Sequence, residues 1–229
     1  SDFELKTREP FVSAKKALLV PQEGIVDYKE VMSVIANRIK SQGGEIILNT
    51  KITSVINKEE TVIVSDEKNE WEFDLIYNCA GLFSDRNYEK FTHKKRPLRI
   101  VPFRGEYLML KPEAKKLVNH LIYPVTDPAY LFLGVHFTRL INGGIEAGPN
   151  AVLAFKREGY KKTQVNFAEL AETLTWPGFQ KVAGKYWKTG LGELYRSFSK
   201  AAFTKALQEL IPEIQESDLV EGGAGVRAQ

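Results

Sequence analysis

Cysteine is almost absent from this sequence, since Cys79 is the only one among 229 residues. A single cysteine cannot form an intramolecular disulfide, and no cluster of thiols exists to bind zinc or an iron–sulfur centre. The histidines, His93, His120 and His136, do not stand at a spacing typical of metal ligands. The sequence therefore excludes a disulfide-stabilised secreted mini-protein, predicts no metal site and favours a reducing compartment.

An excess of one charge and long apolar runs are also missing. Lysine and arginine number 32 against 29 acidic residues, and the short basic runs are scattered, which predicts no nucleic-acid partner. Apolar runs such as residues 17–21 are far too short for a membrane span, and the first residues lack the pattern of a signal peptide. We expect a cytoplasmic protein without a transmembrane segment, and leave peripheral association with the inner membrane open.

The composition is that of a globular protein with a sizeable core. Hydrophobic residues make up 43% and charged residues 27%, and the length fits one large domain or two modest ones. Asp27 and Glu30 form a capping box for a helix that ends near Ser41, before Gly43 and Gly44. Predicted strands follow at residues 45–48, 52–56, 61–65 and 71–78, the last breaking at residues 79–81.

A plausible crossing between two lobes lies at residues 93–97. Beyond it the pattern predicts an antiparallel sheet with strands at residues 98–110, 121–124, 130–138 and 143–148. Helices are predicted at residues 167–174, 178–187 and 191–210. The expected fold class is mixed α/β (α+β), with two lobes.

Few motifs in the chain carry chemistry on their own. Residues 223–228 fit a loose G-x-G-x-x-A pattern, but Glu221 precedes it instead of an apolar strand, so we reject a dinucleotide fingerprint there. His136 lies in an apolar strand, as a general base or as a hydrogen-bonded interior histidine. Arg104 and Arg227 suit bidentate carboxylate recognition or ordinary ion pairs, and Asn150 lies in a turn that could present its amide to a ligand.

Several long strings resemble one enzyme family. They are GIVDYKEVMSVIANRIKSQGGEI, DLIYNCAGLFSD, PFRGEY, FLGVHFTRLINGGIEAGPNAVLAFKREGY and AGVRAQ. Together they resemble the L-2-hydroxyglutarate oxidase/dehydrogenase family, which belongs to the FAD enzymes built like D-amino-acid oxidase. The similarity runs from about residue 24 to residue 229. GVHFTR and GPNAVLAFKREGY are the specific parts, because they are long.

This resemblance implies a chemistry and a set of roles. The parent protein would oxidise L-2-hydroxyglutarate, an α-hydroxy diacid, to 2-oxoglutarate by hydride transfer to FAD, with oxygen or a quinone as electron acceptor. Such chemistry needs a base, cations that orient two carboxylates, and a close approach to the flavin. The implied residues are His136 as base, Arg227, Arg104 and Lys156 as carboxylate anchors, Tyr107 and Asn150 as hydrogen-bond partners, and Cys79, Ala80 and Gly81 beside the cofactor.

The resemblance also implies a domain arrangement. Residues 1–23 and 97–215 would belong to the substrate lobe, residues 24–92 to the FAD lobe, and residues 216–229 would return toward the FAD lobe. The βαβ unit that binds the ADP half of FAD would precede residue 1, so we expect this chain to be an internal fragment that binds FAD weakly or not at all and shows no turnover.

Two other functions stay open from the sequence. One is a related flavin enzyme that acts on an amine such as glycine or sarcosine, or on glycerol 3-phosphate. The other is a noncatalytic binding domain in which the arginines and the histidine are structural. A cleft that contains His136, Arg104 and Arg227 together would favour an enzyme over a binding domain. The sequence does not determine the oligomeric state.

Overall fold

A computed structural model describes residues 2–125 and 134–229 of the chain. The α-helices are α1 (Asp2–Arg8), α2 (Tyr28–Ser41), α3 (Ser84–Thr92), α4 (Phe167–Leu174), α5 (Pro177–Phe198) and α6 (Lys200–Leu207). The strands are β1 (Ser54–Asn57), β2 (Val62–Ser65), β3 (Glu70–Phe73), β4 (Pro102–Leu110), β5 (His136–Arg139), β6 (Ile145–Gly148), β7 (Val152–Leu153) and β8 (Leu219–Ala228). The mixed α/β fold class is confirmed.

The chain divides into two compact units. The first unit joins the segment that ends at Asp27 to Pro102–Arg227, and the second unit joins Tyr28–Val101 to Ala228–Gln229. Residues 216–227, which we expected to return toward the other lobe, thus belong to the first unit, because β8 pairs with β4. The identification of these units as substrate and FAD lobes stays a prediction.

The second unit contains a three-stranded antiparallel meander. Strand β2 lies between β1 and β3, with Val64 opposite both Val55 and Trp71. The buried carboxylate of Asp85 at the start of α3 accepts a hydrogen bond from the Ile100 backbone and pairs with Arg96 at 3.1 Å. These contacts fix the segment after α3 against the helix.

One predicted strand of the second unit is absent, and the strand predicted at residues 71–78 is present only as β3, up to Phe73. Residues 45–48 and 74–78 are not in strands, and Leu48, Leu75 and Tyr77 are exposed. A strand needs a neighbour to pair its backbone N–H and C=O groups. No ladder forms at these positions within the described residues, so an apolar sequence alone does not make them strands.

Most helices of the chain begin and end where local signals place them. Helix α2 ends before Gly43, whose φ of 84° is readily adopted only by glycine, and α4 is capped by the Asn166 side chain. The break predicted between residues 187 and 191 is instead a kink at Tyr186 within α5. Helix α5 ends at Phe198, before Ser199. The Ser199 hydroxyl caps α6 by accepting the Ala202 N–H.

The first unit is built on a five-stranded sheet. Its order is β5-β6-β4-β7, and β8 pairs with β4 in addition. The pairs of β4 with β6 and β7, and of β5 with β6, are antiparallel. Strand β8 also runs antiparallel to β4, because Val101 bonds Gln229 beyond one end and Lys111 bonds Asp218 at the other. The predicted residues 121–124 contribute a single bridge, from Ile122 to Phe137.

One face of this sheet covers the hydrophobic core. The core consists of Val12, Leu110, Ala114, Leu117, Val118, Ile122, Phe137, Ile145, Ala147, Phe203, Leu207, Ile211, Ile214 and Leu219. Helix α6 and the segment after it supply the opposing apolar surface. Because side chains alternate along a strand, the residues between the core positions point to the other face of the sheet.

Phe137→Ala should be among the most damaging changes to the core. The side chain is fully buried at 0% exposure, so its removal leaves a cavity and should lower the free energy of unfolding by about 3–5 kcal/mol. Urea titration followed by circular dichroism measures this. Ile141→Ala, at 59% exposure, is the control and should change the free energy by no more than about 0.5 kcal/mol. Equal effects of the two changes would contradict the core assignment.

Candidate functional site

The sheet face opposite the core carries the polar side chains expected at the site. Phe137 and Ala147 are register partners and both lie in the core, so their neighbours His136 and Glu146 point the other way. Tyr107, next to the core-facing Leu108, is on the same side. We call this surface the site face; the ionisable residues grouped there are Tyr107, His136, Glu146 and Arg227, whose charge influences both Tyr107 and His136.

A hydrogen bond to the backbone just before β5 holds His136 in one tautomer. Its Nδ1 lies 3.2 Å from the carbonyl oxygen of Gly134. Since a carbonyl oxygen only accepts hydrogen bonds, Nδ1 carries the proton and Nε2 keeps the lone pair of the neutral ring. The ring is only 7% exposed and its centroid lies 4.6 Å from that of Tyr123. A neutral imidazole with a basic Nε2 is suited to accept a proton.

The surroundings keep His136 neutral and Tyr107 protonated. Burial lowers the pKa of His136 below its ordinary 6.5, the Gly134 hydrogen bond opposes this, and the positive charge of Arg227 lowers it further. Burial raises the pKa of Tyr107 above 10.0, and Glu146 raises it further, while Arg227 opposes the rise. Burial also raises the pKa of Glu146. Arg227 therefore acts electrostatically on both His136 and Tyr107.

A small cavity of about 100 Å³ lies in the first unit, against β4 and β8. Its lining residues are Phe103, Arg104, Gly105, Tyr107, Pro149, Asn150, Ala151, Gly225, Val226 and Arg227. Ligand pockets for drug-sized molecules usually measure about 300–1,000 Å³, so this cavity fits a single anionic group better than an entire ligand. Arg227 is exposed and supplies the cationic side chain at its rim.

Arg104 is engaged by a carboxylate of its own strand. Its Nε and Nη2 atoms lie 3.0 and 2.9 Å from Oε1 of Glu106, and Nη1 lies 3.4 Å from the Lys161 carbonyl oxygen. Only 3% of Arg104 is exposed. A substrate carboxylate would have to displace Glu106 to bind this guanidinium. The geometry is that of the structural ion pair, the alternative left open by the sequence.

Glu106 is the centre of a buried polar network. Its Oε2 accepts hydrogen bonds from the Asn150 amide at 2.8 Å and from the Ser197 hydroxyl at 2.7 Å. The Asn150 side-chain oxygen in turn accepts the Glu106 backbone N–H at 2.9 Å, and Asn150 is only 2% exposed. The Asn150 amide is therefore used within the protein, and its contribution to a ligand site is to hold the turn that carries it.

The turn after β6 is fixed from two sides. Glu193 of α5 accepts the Ala151 backbone N–H at 2.9 Å, and the Gly148-Pro149 peptide is cis. A Cβ on Gly105 would stand 2.9 Å from the Pro149 Cβ, so only glycine lets β4 approach this turn so closely. The cavity wall is thus set by contacts on the helix side of the sheet. We call Arg104, Glu106, Asn150, Glu193 and Ser197 the Glu106 network.

The structure brings some of the predicted residues together. Arg104, Tyr107, Asn150 and Arg227 line one cavity, and the charge of Arg227 acts on His136, which is not among the lining residues. Lys156 is half-buried and is not among the lining residues either. Within the described part of the chain, no group of three histidine, cysteine, aspartate or glutamate side chains could hold a metal ion.

Three residues around the site were missed in the sequence. Glu106 follows Arg104 by two positions on one strand, and this spacing alone could have indicated an ion pair. Glu146 and Tyr123 give no such local signal, because their proximity to Tyr107 and His136 comes from strand pairing.

The predicted cofactor loop lies in the second unit. Cys79 and Gly81 are exposed, and a Cβ on Gly81 would meet nothing within 4 Å. The Asn78 side-chain oxygen accepts the Ala80 N–H at 3.3 Å, and the Phe83 N–H bonds the Ala80 carbonyl. Gly81 has a φ of 51°, in the left-handed region. An open loop of small side chains fits the close approach of a flat ring, as a flavin requires.

Glu106→Gln should destabilise the first unit. The amide would present a donor to Arg104 or to Asn150, both of which also donate, so we expect a loss of about 3 kcal/mol in the free energy of unfolding. Chemical denaturation measures the loss. Glu72→Gln breaks the exposed Lys58–Glu72 pair and should lower the free energy of unfolding far less, because solvent screens this pair. If the two changes lower the free energy of unfolding by similar amounts, the Glu106 network does not stabilise the fold.

The His136 titration tests the electrostatics of the site face. We expect an NMR midpoint below 6.5, and a higher midpoint in Arg227→Gln, because a positive charge is removed. Since the unfolded state binds the proton more readily, His136 should reduce stability as the pH falls below 6.5. Lys156→Gln is the matched control. A midpoint that Arg227→Gln leaves unchanged would contradict the proximity of the two side chains.

The chain is similar to proteins of known name. It is 59% identical over 226 residues to L-2-hydroxyglutarate dehydrogenase of Indibacter alkaliphilus, covering 99% of this chain and 57% of that protein. It is 42% identical over 227 residues to L-2-hydroxyglutarate dehydrogenase of Escherichia coli K12, covering 99% and 54%. Mitochondrial L-2-hydroxyglutarate dehydrogenase of Homo sapiens is 39% identical over 238 residues, covering 99% and 51%. The chain spans about half the length of these relatives.

Solved structures share the fold at low sequence identity. L-α-glycerophosphate oxidase from Mycoplasma pneumoniae with FAD bound superposes with a TM-score of 0.69 at 16% identity, covering 100% of this chain and 52% of that one. Glycine oxidase from Geobacillus kaustophilus gives 0.59 at 13% identity, covering 100% and 50%. Residues 1–229 match the model of the DAO family, described as FAD dependent oxidoreductase. The chain therefore belongs to the DAO family of FAD-dependent oxidoreductases.

Proposed function

We propose that the full-length protein oxidises an α-hydroxy diacid, L-2-hydroxyglutarate, to 2-oxoglutarate with FAD as cofactor. One observation carries this proposal. A neutral imidazole and a guanidinium act on each other at one sheet face, in a chain 59% identical to a protein named L-2-hydroxyglutarate dehydrogenase. We propose the first unit as the substrate lobe and the second unit as part of the FAD lobe.

His136 would accept the proton of the substrate hydroxyl group. Its Nδ1 is occupied by the Gly134 carbonyl, so Nε2 is the nitrogen with a lone pair for the transfer. The lowered pKa keeps the ring unprotonated at neutral pH, ready to accept. When bound, FAD supplies the acceptor for the hydride that leaves the substrate carbon, and the open Cys79-Ala80-Gly81 loop would lie against it.

Arg227 would bind one substrate carboxylate with its planar fork. It is exposed at the rim of a cavity sized for one anionic group, and Tyr107 beside it keeps its proton and can donate a hydrogen bond. Bound carboxylate would weaken the effect of Arg227 on His136 and raise the basicity of Nε2 just when substrate is present. Lys156 is our proposal for the second carboxylate anchor, while Arg104 and Asn150 would act by holding the cavity wall.

The rival substrates differ in what they need from the site. Glycine or sarcosine carries one carboxylate and needs no second cation, and glycerol 3-phosphate carries a phosphate. A noncatalytic domain would need no base at all, and the hydrogen bond from His136 to the Gly134 carbonyl is compatible with either function. The electron acceptor, oxygen or quinone, the cytoplasmic location and the lack of FAD binding by the isolated chain stay predictions.

The visible spectrum of the full-length protein tests cofactor and substrate together. L-2-hydroxyglutarate, added without oxygen, should bleach the flavin bands, and the D enantiomer, glycine and glycerol 3-phosphate should not. His136→Asn should lower kcat by about 10²–10⁴-fold, the usual size of a general-base contribution. Arg227→Gln should act mainly on KM, whereas Lys116→Gln, at an exposed position of the 3₁₀ helix Pro112–Leu117 after β4, is the control. If the flavin stays oxidised, the assignment of L-2-hydroxyglutarate as substrate is wrong. If the protein cannot be reconstituted with FAD, the assignment as a flavin enzyme is wrong.

A further inference from the structure

Residues 118–123 lie along the edge of β5 that does not pair with β6. Ile122 and Phe137 exchange both of their backbone hydrogen bonds, each at 2.9 Å. Arg139 of β5 donates from Nη1 to the Val118 carbonyl oxygen at 2.8 Å, which ties the start of the segment to the same strand. Val118 and Ile122 are buried in the core. The segment is therefore fixed against β5 by hydrogen bonds and by apolar packing.

This attachment places Tyr123 beside His136. In an antiparallel pair of chains, residues next to a hydrogen-bonded pair form a pair without hydrogen bonds, and there the side chains come closest. Ile122 and Phe137 are the hydrogen-bonded pair, so Tyr123 and His136 are the close pair. Their ring centroids lie 4.6 Å apart, and the ring planes make an angle of 34°. The phenol ring thus covers one face of the imidazole.

A second contact orients the phenol ring. Its hydroxyl oxygen lies 3.3 Å from the hydroxyl oxygen of Thr138, two residues beyond His136 on the same side of β5. A hydrogen bond of this length is weak, so it orients the ring more than it stabilises the fold. Tyr123 therefore contacts β5 twice, through its ring at His136 and through its hydroxyl group at Thr138.

Two contacts together restrict the imidazole of His136. The Gly134 carbonyl accepts the Nδ1–H at 3.2 Å, which determines that Nε2 keeps the lone pair. The Tyr123 ring lies against the face of the imidazole, and a ring covered in this way cannot rotate freely about its bond to Cβ. The direction in which Nε2 points is therefore set by a backbone carbonyl and by an aromatic ring.

Tyr123 and Arg227 act on His136 in opposite directions. The face of an aromatic ring attracts a cation within about 6 Å of its centroid, so the phenol stabilises the protonated imidazole at 4.6 Å. Arg227, by its positive charge, lowers the pKa of His136. Tyr107 and Glu146 are the other ionisable groups on the site face. A base becomes positive as it accepts a proton, and the contact with Tyr123 favours this charged form.

We propose that Tyr123 is a positioning residue for the reaction, which holds the His136 ring in its proton-accepting orientation and stabilises that ring once it is protonated. The inference rests on the proposed function, in which His136 accepts the hydroxyl proton of the substrate. Because Tyr123 acts through His136, its loss should slow proton transfer and leave substrate binding nearly unchanged. The contact lies entirely within the first unit, and the core fixes both of the segments that make it.

Stopped-flow reduction of the full-length protein with FAD bound, by L-2-hydroxyglutarate without oxygen, tests the proposal. Tyr123→Leu removes the aromatic face and keeps an apolar cover, so the limiting rate of reduction should fall about tenfold. The substrate concentration at half the limiting rate should change less than about twofold. Because the protonated imidazole loses a stabilising contact, the acid limb of the pH profile should move to lower pH by about one unit.

Tyr123→Phe is the matched control, because it keeps the ring and removes only the hydroxyl group. Its limiting rate should stay within about threefold of that of the unaltered protein. Thr138→Val removes the same hydrogen bond and should have the same small effect. Unchanged circular dichroism and flavin absorbance show that the variants are folded, and Tyr123→Met replaces Tyr123→Leu if the latter does not fold.

The NMR titration of His136 separates this proposal from the proposed function. His136→Asn assigns the signal, and Tyr123→Leu should lower the midpoint whereas Tyr123→Phe should not. If L-2-hydroxyglutarate does not reduce the flavin of the unaltered protein, the proposed substrate is wrong, and the titration alone decides whether Tyr123 stabilises the protonated ring. An unchanged midpoint in Tyr123→Leu, a loss confined to substrate binding, or an equal loss in Tyr123→Phe would each overturn the proposal.

Discussion

A largely buried carboxylate that must find donors organises the first unit. Glu106 is surrounded by Arg104, Asn150 and Ser197, so its negative charge is paired and its lone pairs are used. Removing water from a carboxylate costs far more than a typical hydrogen bond returns, and only a nearly complete set of partners makes such burial tolerable. Strand β4, the turn after β6 and helix α5 therefore have to meet in one arrangement.

The antiparallel sheet separates this scaffold from the chemistry. Residues that alternate along β4 point to opposite sides, so Glu106 faces the helices while its neighbour Tyr107 faces the site. The same alternation buries Phe137 and turns His136 outward. Rigid pairing on one side thus fixes the positions of reactive side chains on the other, without those side chains having to contribute to the packing. A site supported in this way keeps its geometry when its own residues change protonation.

Local signals predicted the elements that local physics controls. The helix that begins at Tyr28 and the helix at Phe167–Leu174 agree with the prediction, because caps and periodicity are short-range signals. The pattern predicts strands at residues 45–48 and 71–78, yet only residues up to Phe73 of the second form one, because a strand exists only where a neighbour pairs with it. At the site, the resemblance indicates His136 and Arg227, and the structure adds that the positive charge of Arg227 lies near enough to lower the pKa of His136. The pairing of Arg104 with Glu106 was left open, because a sequence shows charges and not their partners.

The orientation of α5 follows from the same buried carboxylate. Glu193 and Ser197 stand one turn apart on the helix, and both are needed inside, at the Ala151 N–H and at Glu106. Once these two face the sheet, helical geometry forces Leu191, Leu194 and Phe198 away from it. Their exposure is therefore a consequence of polar contacts elsewhere on the helix, and rotating α5 to hide them would leave a charged network without partners.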